Sequence, residues 1–161
     1  MSHNTKFTIS TLEREKEIVN MVRKDIDFLK SNRIRFTLPE KAIEKEYNIK
    51  KYESYKELLE AEWVKRGEDN FVERLLTFFH KSADFQFIIE ISNYGPLGFY
   101  NENNNTVTIN LNTHLDVIKT IKHEMVHIMV EPFIKKYHIE HHQKEFIVKE
   151  FIVNTILKIL E

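Results

Sequence analysis

The chain contains no cysteine. Disulfide staples, a thiol nucleophile and cysteine–zinc clusters are therefore excluded. Glycine and proline are scarce, three of each in 161 residues, so few tight turns are available and a helix-rich chain is expected. No stretch approaches the ~18 consecutive apolar residues of a membrane span. Residues 1–20 carry no apolar segment behind a basic start, so no secretory leader is expected and a cytoplasmic setting is. Charge of one sign is also lacking: 24 Lys and Arg stand against 25 Asp and Glu. The two halves are similarly balanced, and no basic tract exceeds two or three residues. Nucleic acid, which demands clustered positive charge, is not an expected partner. Hydrophobic content is an ordinary 42%, enough for a single domain (residues 1–161) with a sizeable core.

What the sequence does have changes character midway. Residues 10–80 read as a helical subregion. Ser10 or Thr11 caps a helix to about Ser31, with Leu12, Ile18, Val19, Val22, Ile26 and Leu29 at helical spacing. Residues 1–9 before it look frayed. Pro39 suits the first position of a helix running to about Tyr47. Another covers Lys51–Lys65 and ends at Gly67. A fourth, capped by Asp69 or Asn70, covers Phe71 to about His80. Beyond residue 84, Phe85–Ile91 reads as a strand. Leu97–Tyr100 and Thr106–Leu111 form a hairpin around an Asn-rich turn. The fold class expected is α+β, a helix-rich first half followed by a core of hairpin, helix and C-terminal helix.

The most informative stretch is His123-Glu124-Met125-Val126-His127, an HExxH motif. Its segment, Leu115–Val130, holds no Gly or Pro and is stopped by Pro132, with Thr113 as a plausible cap. Histidines at i and i+4 share one helix face, so their ring nitrogens can converge on one zinc ion. The intervening glutamate faces the same point and can polarise a water. Asp116, Thr120, His123, Glu124 and His127 form a polar stripe on an otherwise apolar helix.

A catalytic zinc takes a third protein ligand. Glu131 is too far, about 12 Å from His123 along the helix axis. In the last helix, roughly His142–Leu160, the wheel centres the apolar face on Val148, Ile152, Ile156 and Ile159 and puts Glu150 with Asn154 and Lys158 on the wet face. Glu145 falls in the apolar face. A carboxylate aimed into a core is costly unless paired or metal-bound, which selects Glu145 as third ligand. His141, His142 and Glu150 are its rivals.

These residues resemble the gluzincin pattern of zinc metallopeptidases: an HExxH helix followed on the next helix by a glutamate ligand, here eighteen residues on from His127 to Glu145. The resemblance covers about residues 95–160, and Glu131–Glu145 looks like the linker of small bacterial and phage members. One departure is Lys149, where the family often has an Asp that orients a zinc-bound His. His142-Gln143-Lys144-Glu145-Phe146 is also similar to the HGxxF element of SprT-like proteases, with Gln in place of Gly. The resemblance implies a zincin-like core over residues 84–161 and a zinc ion on His123, His127 and Glu145. It also implies a peptide or protein substrate laid along an edge strand, Thr106–Leu111 or Leu97–Tyr100, with Glu124 as general base. Tyr94, Tyr100, Tyr137 and His138 are candidates for stabilising the oxyanion. Competing readings are an inactive metal-binding or interaction module, a di-iron protein (which needs a second ExxH that the chain lacks) and a helical domain with a chance motif. Oligomeric state is not encoded in any feature of the sequence.

Overall fold

A computed structural model describes residues 4–112, 116–136 and 142–161, with the backbone alone for 142–146. The elements run β1 (Thr5–Ile9), α1 (Leu12–Lys24), α2 (Ile26–Ser31), β2 (Phe36–Thr37), α3 (Ile43–Glu46), α4 (Ile49–Arg66), α5 (Asp69–Phe78), β3 (Phe87–Ser92), β4 (Gly95–Pro96), β5 (Gly98–Asn101), β6 (Thr106–Asn110), α6 (Val117–Lys136) and α7 (His142–Leu160). The class is α+β, with seven helices among the described residues and a small mixed sheet.

The N-terminus is a strand, not a frayed end. β1 pairs in parallel with β3, Phe7 opposite Ile89, and β3 pairs in parallel with β6. β5 closes the order β1-β3-β6-β5, antiparallel to β6. β1 holds because Phe7 is buried and meets the Trp63 ring of α4 edge-on at 5.7 Å. A five-residue strand whose partner lies 80 residues away leaves little local trace.

The sheet has two unlike faces, as strand alternation requires. Phe7, Ile89, Val107 and Tyr100 are in register on one face, against α4 and α6. Thr8, Glu90, Thr108 and Phe99 are in register on the other. There Glu90 accepts from Thr108 at 2.9 Å and pairs with Arg14 of α1 at 3.2 Å. One core joins Tyr52, Trp63, Phe71 and Leu75 of the first half to Ile109, Met125 and Val153 of the second. The helical subregion thus shares one hydrophobic core with the second half.

Local chemistry explains most boundaries. Thr11 is extended, and its hydroxyl accepts from Arg14 N at 3.2 Å, starting α1. The long helix expected to Ser31 breaks at Asp25 into α1 and α2. The helix expected from Pro39 to about Tyr47 shrinks to Ile43–Glu46, because Ala42 just before it is extended (φ −60°, ψ 131°). Gly67, at φ 69°, ends α4 in the left-handed region as expected. Asp69 does not cap α5; its carboxylate accepts from Trp63 Nε1 at 2.9 Å. Glu15 ties the first half to the sheet. It is fully buried and accepts from Tyr52 Oη at 2.7 Å, Ser92 Oγ at 2.8 Å and Asn93 N at 2.9 Å.

The motif helix is longer than expected. α6 runs through Pro132 to Lys136. Proline removes the bond to the Ile128 carbonyl, but buried Val130, Glu131 and Ile134 keep the last turns packed. Thr113 lies outside the described residues; the cap seen is Asp116, whose carboxylate accepts from Lys119 N at 3.3 Å.

Candidate metal centre

α6 and α7 pack side by side, and α6 also lies under β5 and β6. His123 and His127 project from one face of α6 toward α7, as their i, i+4 spacing requires. Their Nε2 atoms lie 3.0 Å apart. Glu150 of α7 completes a tripod, with Oε2 3.3 Å from His123 Nε2 and Oε1 3.0 Å from His127 Nε2. The three residues form a group that could hold a metal ion. Ligand bonds of ~2.0–2.1 Å at tetrahedral angles put donor atoms about 3.3 Å apart, so the tripod's edges already fit a four-coordinate ion. Two imidazoles and one carboxylate also leave a fourth position for water.

Charge supports the same reading. The two histidines hydrogen-bond to Glu150 and hold its carboxyl at about 2. Burial pushes His123 down, but contact with Glu150 and the nearby Glu124 outweigh it, and its pKa is raised. Burial also raises Glu124, opposed by both imidazoles. The Glu124 carboxylate makes no hydrogen bond or ion pair with the described residues. It sits under the edge strand: a Cβ on Gly98 would meet Glu124 Cγ at 3.3 Å and Oε1 at 3.4 Å, and Thr120 Cγ2 at 2.5 Å. Strand and helix touch so closely that only glycine fits.

Around the tripod lies a second group of contacts. Tyr100 of β5 stacks on the His127 ring, 5.0 Å between centroids and 7° from parallel. Its hydroxyl donates to Glu131 Oε2 at 2.8 Å. Lys149 of α7 pairs with the same oxygen at 2.8 Å. His127 Nδ1 is buried with no hydrogen-bond partner. A metal-bound histidine is usually oriented through that atom. Here the flat face of Tyr100 does the orienting, and the phenol is fixed in turn by Glu131 and Lys149. Four residues after Glu150 stands Asn154, whose amide donates to the Glu150 carbonyl at 2.8 Å.

Among the described residues, the carboxylate beside the histidines is Glu150, which the helical wheel puts on the wet face. The side chains of the favoured Glu145 and of His142, and all of His141, lie outside the described residues. The wheel misplaces the face because α7 is apolar nearly all round. Val153, Ile156, Leu157 and Leu160 turn inward, whereas Ile147, Phe151 and Ile159 are exposed. The inward line 150, 153, 157, 160 has helical spacing and starts at Glu150. That alternative phase was the signal in the sequence. Tyr94 is engaged elsewhere, donating to Glu46. Tyr100 is committed to Glu131, and Tyr137 and His138 lie outside the described residues. The polar stripe is also more covered than expected, with His127 only 4% exposed. The expected hairpin is present, and of its two strands β5, not β6, lies at an edge of the sheet.

Comparison with known proteins adds no family. No family model, no curated protein and no solved structure matches the chain. No described helix is long and apolar enough to cross a membrane.

Proposed function

We propose that this protein is a zinc-dependent metallopeptidase, with His123, His127 and Glu150 as ligands and Glu124 as general base. The observation that carries the reading is an unpaired carboxylate, Glu124, held beside a three-donor tripod and under an open sheet edge. Two His and a Glu form a donor set typical of catalytic zinc. Such an ion supplies Lewis acidity and brings the ionisation of water toward neutral pH.

The chain's own residues divide the remaining work. Among the described residues β5 pairs only with β6, so its outer edge offers backbone N–H and C=O groups to an extended peptide. Gly98 lets that edge descend to Glu124. Glu124 takes a proton from the attacking water and returns it to the leaving amine. Tyr100 fixes the ring plane of His127. The test is hydrolysis of a fluorescent unstructured protein by zinc-loaded enzyme. Cleavage is expected, abolished by a chelator and lowered about 10³-fold by Glu124→Gln with zinc retained. Turnover by zinc-loaded Glu124→Gln equal to wild type would contradict the role of Glu124.

A further inference from the structure

A groove of about 370 Å³ leads away from Glu124. Thr120 and Glu124 of α6, Leu97 and Gly98, and Arg33 and Arg35 line it together. Backbone pairing sets the arginines there. β2 is antiparallel to β4 with Phe36 opposite Pro96, and one step further in that register puts Arg35 opposite Leu97. The edge left open by β5 therefore ends where Arg33 and Arg35 begin. A peptide added to β5 and running past Gly98 meets two guanidinium groups.

Two further observations single these arginines out. Both are exposed and, like Arg23, form no ion pair or side-chain hydrogen bond among the described residues, but unlike Arg23 both line the groove beside Glu124. Arg33 also has φ 57°, left-handed backbone that favours glycine or asparagine. It terminates α2, with Arg33 N bonded to Lys30 O and Ile34 N to Leu29 O, a helix end that glycine would serve with less strain. A long cation at that position, unpaired and facing a groove, is what recognition of an anion requires. Glu124 itself repels carboxylates, so an anionic group has its favourable place at the arginine end.

We propose that Arg33 and Arg35 form a substrate subsite that binds a peptide carboxylate, an acidic side chain or the C-terminal carboxylate, a few residues from the cleaved bond. This rests on the peptidase reading of the metal centre. Guanidinium groups hold carboxylates through paired N–H donors in a fixed fork, so acidic or carboxyl-terminal segments are the preferred substrates.

Binding tests it without turnover. Zinc-loaded Glu124→Gln protein is titrated with labelled peptides of one length, Glu against Gln at each position and free against amidated at the C-terminus, followed by fluorescence anisotropy. One carboxylate-bearing member is expected to bind about tenfold tighter, with the gap shrinking in high salt. A gap that follows one side-chain position identifies an acidic residue; a gap that follows amidation identifies the C-terminal carboxylate. Adding Arg33→Gln and Arg35→Gln should close the gap, and Arg35→Glu should favour Lys-bearing peptides, with zinc content and circular dichroism showing each variant folded. Absence of any gap, or a gap unchanged in the folded double variant, overturns the proposal. A gap that closes as expected, in a wild-type protein that holds zinc and cleaves no peptide, supports the subsite and counts against the peptidase reading.

Discussion

Two carboxylate clusters lie along the same helix and are balanced in opposite ways. Glu131, near the end of α6, is closed in: Lys149 and the Tyr100 hydroxyl bond to it, and Lys135 pairs with neighbouring Glu102. One or two turns back, Glu124 and Glu150 lie near two imidazoles and, among the described residues, form no Lys or Arg ion pair. The first cluster contains its own cations and holds the two helices in register. The second lacks a cation and has three donor atoms already gathered. Isolated buried charge is expensive, so a site left short of positive charge, with ligand geometry, is where a metal ion belongs.

The largest effect should come from breaking the closed cluster. Lys149→Met leaves buried Glu131 with only the Tyr100 hydroxyl and the more distant, exposed Lys135 at 3.9 Å, and removing the close partner of such a pair costs up to about 3–5 kcal/mol. Denaturant unfolding of the metal-free protein measures it, and Glu131→Gln in the same chain should recover much of the loss. A single variant as stable as wild type would show that the pair does not set the helix register. Next comes the strand–helix contact. Gly98→Ala must push Thr120 or β5 aside, and misplacement of about 1 Å near a reacting centre costs about 10²-fold in rate. kcat/KM is expected to fall by that order with zinc content unchanged. Unaltered kcat/KM would place the substrate elsewhere.

The tyrosine support gives a smaller, graded effect. Tyr100→Phe keeps the stacking and loses a hydrogen bond worth about 1 kcal/mol, so zinc affinity should change only a fewfold. Tyr100→Ala removes the ring's support and should weaken zinc about tenfold or more, as loss of such orienting partners does elsewhere. Equal zinc affinity in both variants would mean that stacking does not orient His127. The smallest effect concerns acid. In metal-free protein Glu150 sits at about 2 against an ordinary 4.5, held there by the histidines. A carboxyl depressed in the folded state stabilises above the unfolded pKa and loses that contribution as pH falls from about 4.5 toward 2. The unfolding midpoints of wild type and Glu150→Gln should therefore converge over that range. A constant gap from pH 5.5 to 3 would contradict the contact.

How much of this was legible in the sequence depends on the range of the interaction. The HExxH spacing is local, so the face shared by His123 and His127 could be read directly. The hairpin and the Gly67 stop were readable for the same reason. The rotation of α7 was not, because Ile147, Phe151 and Ile159 make its exposed side as apolar as its buried one. The spacing 150, 153, 157, 160 is one of two apolar phases that the sequence offers, and packing against α6 decides between them. β1 escaped notice because its burial depends on Trp63 and on β3, both far along the chain. Tyr100 and Gly98 share a strand face in plain alternation, but their meaning appears only once α6 lies beneath them.

His123, His127 and Glu150 form a group that could hold a metal ion, and zinc on these three is what we propose. The measurement that tests it most directly is zinc content and affinity of purified wild type, Glu150→Ala and Glu145→Ala. The account predicts one zinc per chain in wild type and in Glu145→Ala, and loss of at least about two orders of magnitude in affinity for Glu150→Ala. Zinc retained by Glu150→Ala and lost by Glu145→Ala, or no zinc bound by wild type when it is supplied, would contradict it.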